Sequence, residues 1–205
     1  MVVANNQLFI STEEVTRKLK PALTTYFSVY IPETKEYGGV SSKDINIFAY
    51  EAVLPGTSFE IAQNFGDRQG ITESYPVRRI YPPIDVSFYV NIDYNVIKYF
   101  ENWMQSIFEF KGSPSPRYGR FNYPETYETN ITITKFERDY RKKSDRLSDK
   151  GSAGSPEIKT KITYDLINAF PTNIISLPVS YSQTDVLKTT ITFNYDLYSY
   201  RGQQN

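Results

Sequence analysis

Alternating hydrophobic and polar positions dominate the chain and predict a mainly β protein. The clearest case is segment 84–92 ("IDVSFYVNI"), in which every second residue from Ile84 to Ile92 is apolar. A period of two is typical of a strand with one buried face and one exposed face. We therefore expect residues 84–92 to form a half-buried strand.

Similar segments predict strands along most of the chain. Their ranges are 23–31, 45–53, 59–65, 71–80, 127–136, 157–166, 174–180 and 186–200. In the last range one face carries Leu187, Thr189, Ile191, Phe193, Tyr195 and Leu197. Because strands follow one another without βαβ units, the pattern predicts an antiparallel β-sandwich or partial barrel of about eight strands.

Two helices are expected beside the strands. Residues 94–108 repeat apolar residues at three- and four-residue spacing, which predicts a helix packed on the sheet with Trp103 in the core. Asp93 is the expected cap of this helix. Near the N-terminus, Ser11 and Glu14 have capping-box spacing, which predicts a short helix with Val15 and Leu19 on one face.

Polar segments separate these elements. Loops are predicted at 32–44, 111–123 and 137–156, the most polar part of the last being 139–156, and corners at 54–56 and 169–173. In the corner at 54–56, Pro55 ends a strand because it lacks an N–H group, and Gly56 permits a turn. Residues 66–70 should form the tip of a hairpin. No linker is present, so we expect a single domain over residues 1–205.

Composition excludes several kinds of chemistry. The chain has no cysteine and no histidine, which rules out disulfides, Cys/His zinc sites, Cys nucleophiles and Ser-His-Asp triads. Carboxylates such as Asp139 and Asp145 lie among basic residues that favour their ionised form. We therefore predict no catalytic residue, no metal, no cofactor and no enzymatic activity. The N-terminus lacks a signal-peptide pattern and no segment is long enough to span a membrane, so no membrane anchor is expected.

Charge and aromatic content bear on possible partners. Lys+Arg and Asp+Glu are equal at 23 each, so no global basic field attracts nucleic acid. A run from Lys135 to Lys150 is basic, and its residues Arg141, Lys142, Lys143 and Arg146 are candidates for an outer or inter-ring loop. The 18 Tyr and 13 Phe are consistent either with an ordinary β protein or with one that forms large interfaces.

Four stretches, taken in order, carry a family resemblance. They are "EEVTRKLKPALTTYFSVYI" (13–31), "YEAVLPGTSFEIA" (50–62), "YPVRRIYPPIDVSFYVNIDYNVIKYFENWMQSIF" (75–108) and "DLINAFPTNIISLPVSYSQTDVLKTTITFNYDLY" (165–198). Together they resemble the tail tube proteins of contractile-tailed, T4-like bacteriophages. The three predicted loops look longer than in that family.

The resemblance implies a structural subunit located in the virion tail and assembled in the host cytoplasm. Six copies would form a ring, and stacked rings would enclose a shared β-barrel lumen through which DNA passes without specific binding. Tail sheath and baseplate proteins are the implied partners. The candidate inter-subunit or inter-ring residues are Ser11, Val15, Leu19, Phe59, Ile61, Phe65, Asp67, Arg68, Gln69 and Ile71.

Two alternatives remain open at this point. The longer loops are also consistent with a baseplate-proximal paralogue or an initiator of the tube. A free-standing β-sandwich binding module, for instance one that recognises a surface glycan, would also account for the tyrosines. Self-assembly into rings or tubes would distinguish a tube subunit, paralogue or initiator from a free-standing binding module.

Overall fold

The computed structural model describes residues 22–32, 39–66, 70–111, 118–138, 158–175, 179–181 and 185–204. Within these ranges the chain is mainly β, with antiparallel pairing throughout, as the sequence predicts. The expected N-terminal helix with Ser11, Val15 and Leu19 lies outside the described residues, and so does the predicted loop over residues 139–156.

Eleven strands and three helices occur in the described residues. The strands are β1 (Phe27–Tyr30), β2 (Ala49–Ala52), β3 (Ser58–Asn64), β4 (Glu73–Ile80), β5 (Ile84–Tyr89), β6 (Phe108–Lys111), β7 (Tyr118–Phe121), β8 (Thr129–Arg138), β9 (Ile158–Ile174), β10 (Lys188–Asn194) and β11 (Leu197–Gln204). The helices are α1 (Ser42–Phe48), α2 (Asn95–Ile107) and α3 (Pro124–Tyr127).

Seven strands form the main sheet, in the order β1-β8-β9-β10-β5-β2, with β11 also paired to β9. The 17-residue strand β9 joins its two halves. Its first part pairs with β8 on one side and β11 on the other, and its last part pairs with β10. Buried residues of both halves form one core cluster with α2, which gives the sandwich-like, incompletely closed arrangement that the sequence predicts.

The predicted corner at 169–173 is wrong, and so is the separate strand at 174–180 in its described part, because Ile174 belongs to β9 and residues 175, 179 and 180 are not in a strand; residues 176–178 lie outside the described ranges. Residues 158–174 form one continuous strand, which contains one residue in the left-handed conformation, Asn168, with a φ of 56°. Asn tolerates this left-handed conformation better than most residues. Pro171 is buried next to a register shift in β10, where the missing N–H group is accommodated.

The predicted strand at 45–53 is also wrong over most of its length. Residues 42–48 form α1, in which Ile45 is fully buried and Ile47 is 76% exposed. The side chain of Asn46 accepts a hydrogen bond from the Ile31 N–H (2.9 Å) and donates one to the Ile31 carbonyl (3.1 Å). This contact between distant segments favours the helix, and only β2 keeps the expected strand conformation.

The core helix α2 forms as predicted, with one difference at its start. Trp103 is fully buried, as expected, and its Nε1–H donates to the Tyr127 carbonyl at 2.8 Å. Asp93 does not cap the helix. The N-cap position is Tyr94, which has a left-handed φ of 57° and makes no side-chain capping bond, and Asn91 Oδ1 accepts a hydrogen bond from the Asn95 N–H at 2.8 Å.

Two further predictions differ from the structure at strand ends. The predicted loop at 111–123 is wrong at residues 111 and 118–121, which belong to a hairpin formed by β6 and β7; Phe108 pairs with Phe121, and a side chain at Gly119 would collide with the Phe108 ring. The predicted strand 186–200 divides into β10 and β11 at residues 195–196. These changes explain why eleven strands occur where the pattern predicts about eight.

The break between β10 and β11 places Tyr195 in an aromatic cluster. Its ring lies 6.3 Å from Tyr81 and 6.5 Å from Tyr198, measured between centroids. Burial raises the pKa of the Tyr195 hydroxyl above its ordinary value of 10.0, and the charges of Tyr198 and Tyr81 raise it further. No described residue forms a hydrogen bond with this buried hydroxyl.

The raised pKa predicts a loss of stability in alkaline solution. The unfolded chain ionises Tyr195 near pH 10.0, whereas the folded chain resists ionisation to a higher pH, so stability is lost as the pH rises through this interval. We expect Tyr195→Phe to change stability by less than about 1 kcal/mol near neutral pH and to reduce the alkaline loss. Thermal unfolding as a function of pH tests this. Tyr200→Phe, at an exposed position, is the control, and an equal alkaline loss in both variants would contradict the prediction.

Candidate interaction surface

The hairpin β3–β4 extends the β2–β5 ladder beyond the main sheet. β2 pairs with β5, and the Val53 N–H still donates to the Asp85 carbonyl at 3.0 Å. The chain then passes through the buried Pro55 on one side and through Pro82 and Pro83 on the other. Pairing resumes between Ser58 and Ile80 as a separate two-stranded sheet. The prolines account for the break because they donate no ladder hydrogen bond.

The corner at 54–56 is therefore confirmed, but only one of its expected causes is present. Pro55 is buried at the point where the ladder stops. Gly56 has no positive φ, and a side chain there would meet no atom within 4 Å. The turn therefore depends on Pro55.

The hairpin exposes an unusual number of apolar side chains. Every residue of β3 and β4 is exposed except Ala62. Phe59 is 58% exposed and Ile61 62%, and Tyr75 and Val77 on the opposite strand are 54% and 59% exposed. An isolated two-stranded hairpin is at best marginally stable in water. Its apolar surface is thus suited to being covered by another molecule.

Directly paired residues of an antiparallel ladder lie on the same face, which defines the two faces of this hairpin. Phe59 pairs with Arg79, and Ile61 pairs with Pro76 across a bulge. The other face carries the ion pair between Glu60 and Arg78 at 2.7 Å. That pair is largely exposed, so solvent screens it and it adds little to the stability of the hairpin.

Four predicted site residues lie in or beside this hairpin. Phe59, Ile61, Phe65 and Ile71 are all exposed, the last two by 70% and 91%. The predicted tip residues Asp67, Arg68 and Gln69 lie outside the described residues, as do Arg141, Lys142, Lys143 and Arg146. Tyr75 and Val77 were not among the predicted residues, although the alternation of 71–80 could have suggested them.

A second apolar surface lies at the other end of β5. We call it the distal patch and define it by Ile92, Tyr94, Ile175 and Val186, which are 94%, 54%, 45% and 58% exposed. It follows the end of the strand, where the Val90 N–H donates to the Leu187 carbonyl at 2.9 Å. The prediction that Ile92 belongs to the buried face is wrong, because β5 ends at Tyr89 and the chain turns there.

The rings next to the distal patch are held together by stacking. Tyr50 and Tyr89 are stacked with centroids 4.4 Å apart, and Lys188 Nζ lies 5.5 Å and 5.9 Å from their respective centroids. Their rings and the Lys188 charge make this end of the sheet a preformed surface. The hairpin and the distal patch thus lie at opposite ends of one strand ladder.

In the described residues, no group of three or more His, Cys, Asp or Glu side chains is arranged to hold a metal ion. None of the helices in the same ranges combines the length and hydropathy needed to cross a bilayer.

Several solved structures share the fold. The cap that terminates the tube of the anti-feeding prophage aligns with a TM-score of 0.58 and 17% identity, covering 90% of this chain and 93% of that one. The sheath/tube terminator of an extracellular contractile injection system in its extended state gives 0.56 and 17%, with coverage of 90% and 99%. A chain of the anti-feeding prophage baseplate gives 0.55 and 11%, with coverage of 89% and 97%. At these identities the likeness establishes the fold alone.

Sequence comparison places the chain in a family. No curated protein resembles it closely enough in sequence to count as a relative. A family model described as "Phage tail tube protein" matches residues 22–201. Because this match begins before β1 and ends within β11, the chain belongs to the phage tail tube protein family.

Proposed function

We propose that this chain is a building block of a hollow tail tube. Six copies form a ring, rings stack, and the joined sheets enclose a lumen through which DNA passes without specific binding. The apolar hairpin β3–β4 is the observation that carries this proposal, because it exposes Phe59, Ile61, Tyr75 and Val77 on an arm with no core of its own. Membership of the tail tube family supports the same function.

Lateral assembly is supported by the edges of the main sheet. In the described part of the chain, β1, β2 and β11 each pair with one strand only. An unpaired strand edge presents N–H and C=O groups that another chain can complete. Edge pairing between copies would satisfy these groups and close the sheets into a ring.

Stacking is supported by the positions of the two apolar surfaces. The hairpin and the distal patch are different surfaces at opposite ends of β5, so contact between them is heterologous and repeats from copy to copy. We propose that the hairpin of one ring covers the distal patch of the next. Seven extended residues in β3 reach about 23 Å, enough to cross onto a neighbouring subunit.

Sheath and baseplate proteins are the proposed partners of the assembled tube. The structural neighbours include a sheath/tube terminator and a baseplate chain, which supports this assignment by analogy of fold. These neighbours also favour a second candidate, a terminator or a baseplate-proximal initiator, whose own copies would form one ring and stack no further. Assembly of the purified protein separates the two: a tube subunit forms long tubes, and a terminator forms rings of fixed height.

Substitution within the hairpin tests the assembly surface. We expect Ile61→Asp to leave the fold intact, because the side chain is 62% exposed, and to abolish stacking because a charge enters an apolar contact. Negative-stain electron microscopy and sedimentation velocity measure assembly, and circular dichroism measures folding. Asn64→Asp adds the same charge at an exposed polar position on the other face of the same strand and should assemble normally. Normal tubes from Ile61→Asp would contradict the role of the hairpin, and a strictly monomeric wild type at high concentration would contradict the function itself.

A mixing experiment tests the direction of stacking. Ile61→Asp disables the hairpin and Ile92→Asp disables the distal patch, so each variant alone should stop at single rings. When the two kinds of ring are mixed, the intact hairpins of Ile92→Asp rings can contact the intact distal patches of Ile61→Asp rings, and no other pair of intact surfaces is available. The expected product is therefore a pair of rings that does not grow. Analytical ultracentrifugation of the mixture distinguishes paired from single rings. Single rings alone in the mixture would mean that the two surfaces do not contact each other.

A further inference from the structure

The backbone does little to fix the angle between the hairpin and the main sheet. Both connections contain proline, at Pro55 and at Pro82 and Pro83, and the ladder is interrupted between Val53 and Ser58. The weak hydrogen bond from Thr57 Oγ1 to the Ile80 carbonyl, at 3.4 Å, joins the two strand ends at the base of the hairpin and does not reach the main sheet. Side chains must therefore determine the direction in which the hairpin projects.

Arg79 is positioned to do this. It is the penultimate residue of β4, next to the connection that leads to β5. Its Nε–H donates to Thr57 Oγ1 at 2.7 Å, and its Nη2 donates a longer hydrogen bond to the Tyr198 hydroxyl at 3.4 Å. Its Cζ lies 5.1 Å from the Tyr81 ring centroid and 5.4 Å from that of Tyr198. One guanidinium thus contacts both connections and β11 of the main sheet.

The partners of Arg79 on the main sheet are themselves held in place. The Tyr198 ring packs edge-on against Tyr81 and Tyr164, at centroid distances of 5.5 Å and 5.8 Å. It also lies 6.5 Å from the buried Tyr195. A planar guanidinium can donate hydrogen bonds at its edge and contact aromatic rings with its face at the same time, which a lysine cannot do.

The neighbouring arginine provides the contrast. Arg78 faces the other side of the hairpin and pairs with Glu60 of β3, at 2.7 Å. Both members of that pair belong to the hairpin, so the contact cannot orient the hairpin relative to the sheet. Two consecutive arginines therefore differ in one respect that matters here, namely whether the contact crosses the junction.

We propose that Arg79 is a positioning residue that holds the hairpin at one angle to the main sheet and so presents its apolar surface ready for the next copy. The effect on orientation is independent of what the hairpin binds, whereas the effect on assembly rests on the proposed function. Preorganisation of this kind lowers the entropy that is lost when the surfaces associate.

Distance measurement by electron paramagnetic resonance tests the orientation. The chain contains no cysteine, so Gln63→Cys in the hairpin and Ser199→Cys in β11 allow two spin labels to be attached at exposed positions without a background. Labelled protein diluted in an excess of unlabelled protein reports distances within one subunit. We expect one narrow distance distribution with Arg79 present, a broad one in Arg79→Ala, and no change in the matched control Arg78→Ala.

Two conservative variants separate positioning from a general loss of structure. Arg79→Lys keeps the charge but not the planar fork and should broaden the distribution in part. Tyr198→Phe keeps the ring and removes only the longer hydrogen bond, so its distribution should stay close to that of the parent protein. If Arg79→Ala does not fold, Arg79→Lys carries the test. A distribution as narrow as that of the parent in every folded Arg79 variant would overturn the proposal.

Assembly provides the second measurement. We expect Arg79→Ala to raise the concentration needed for tube formation by about tenfold or more, while Arg78→Ala leaves it unchanged. A broad distance distribution with normal assembly would overturn the role of Arg79 in assembly and leave the tube function intact. If the parent protein itself forms no rings or tubes, the proposed function fails, and the distance measurement still decides the orientation.

Discussion

The backbone hydrogen-bond ladder of β9 is the constraint on which the rest of the structure depends. This 17-residue strand is paired on both sides over its first part and continues as the partner of β10 after a single left-handed residue, Asn168. The same strand therefore belongs to both halves of the sheet. The core residues of both halves therefore form one cluster, with α2 and Trp103 packed against it.

The hairpin β3–β4 is a separate two-stranded sheet that, within the described residues, does not pair with the main sheet around β9. Beyond Pro55 and the Pro82–Pro83 pair the strands still pair with each other, but no third strand or helix of the described chain covers them. Apolar residues that would be core in a larger sheet remain exposed, Phe59 and Ile61 among them. An exposed apolar surface of this kind is unfavourable in a monomer and is typical of sites that contact another protein.

Much of this could be predicted from the sequence, because local periodicity reports whether one face of a segment is buried. The strand at β5 and the helix α2 with Trp103 in the core follow that rule, whereas the hairpin is predicted by the proline at position 55 and the glycines of its tip. The predictions failed where distant contacts override a local pattern. Asn46 completes the backbone hydrogen bonds of Ile31 and so favours a helix where Ile45 and Ile47 alternate as in a strand. Asn168 adopts a left-handed conformation within β9, and the strand continues through residues 169–173, where the sequence predicted a corner.

The sequence by itself determined the chemistry that is absent and the side chains that must be buried. Without histidine or cysteine, Cys nucleophiles, Ser-His-Asp triads and Cys/His zinc sites are impossible whatever the fold, and alternating apolar residues require a partner surface. Only the tertiary structure decided which of those surfaces find a partner within the chain. A period of two describes Ile61 and Val86 alike, yet Val86 is fully buried and Ile61 is 62% exposed. The difference is physical: periodicity is a property of one segment, whereas burial depends on what another segment brings against it.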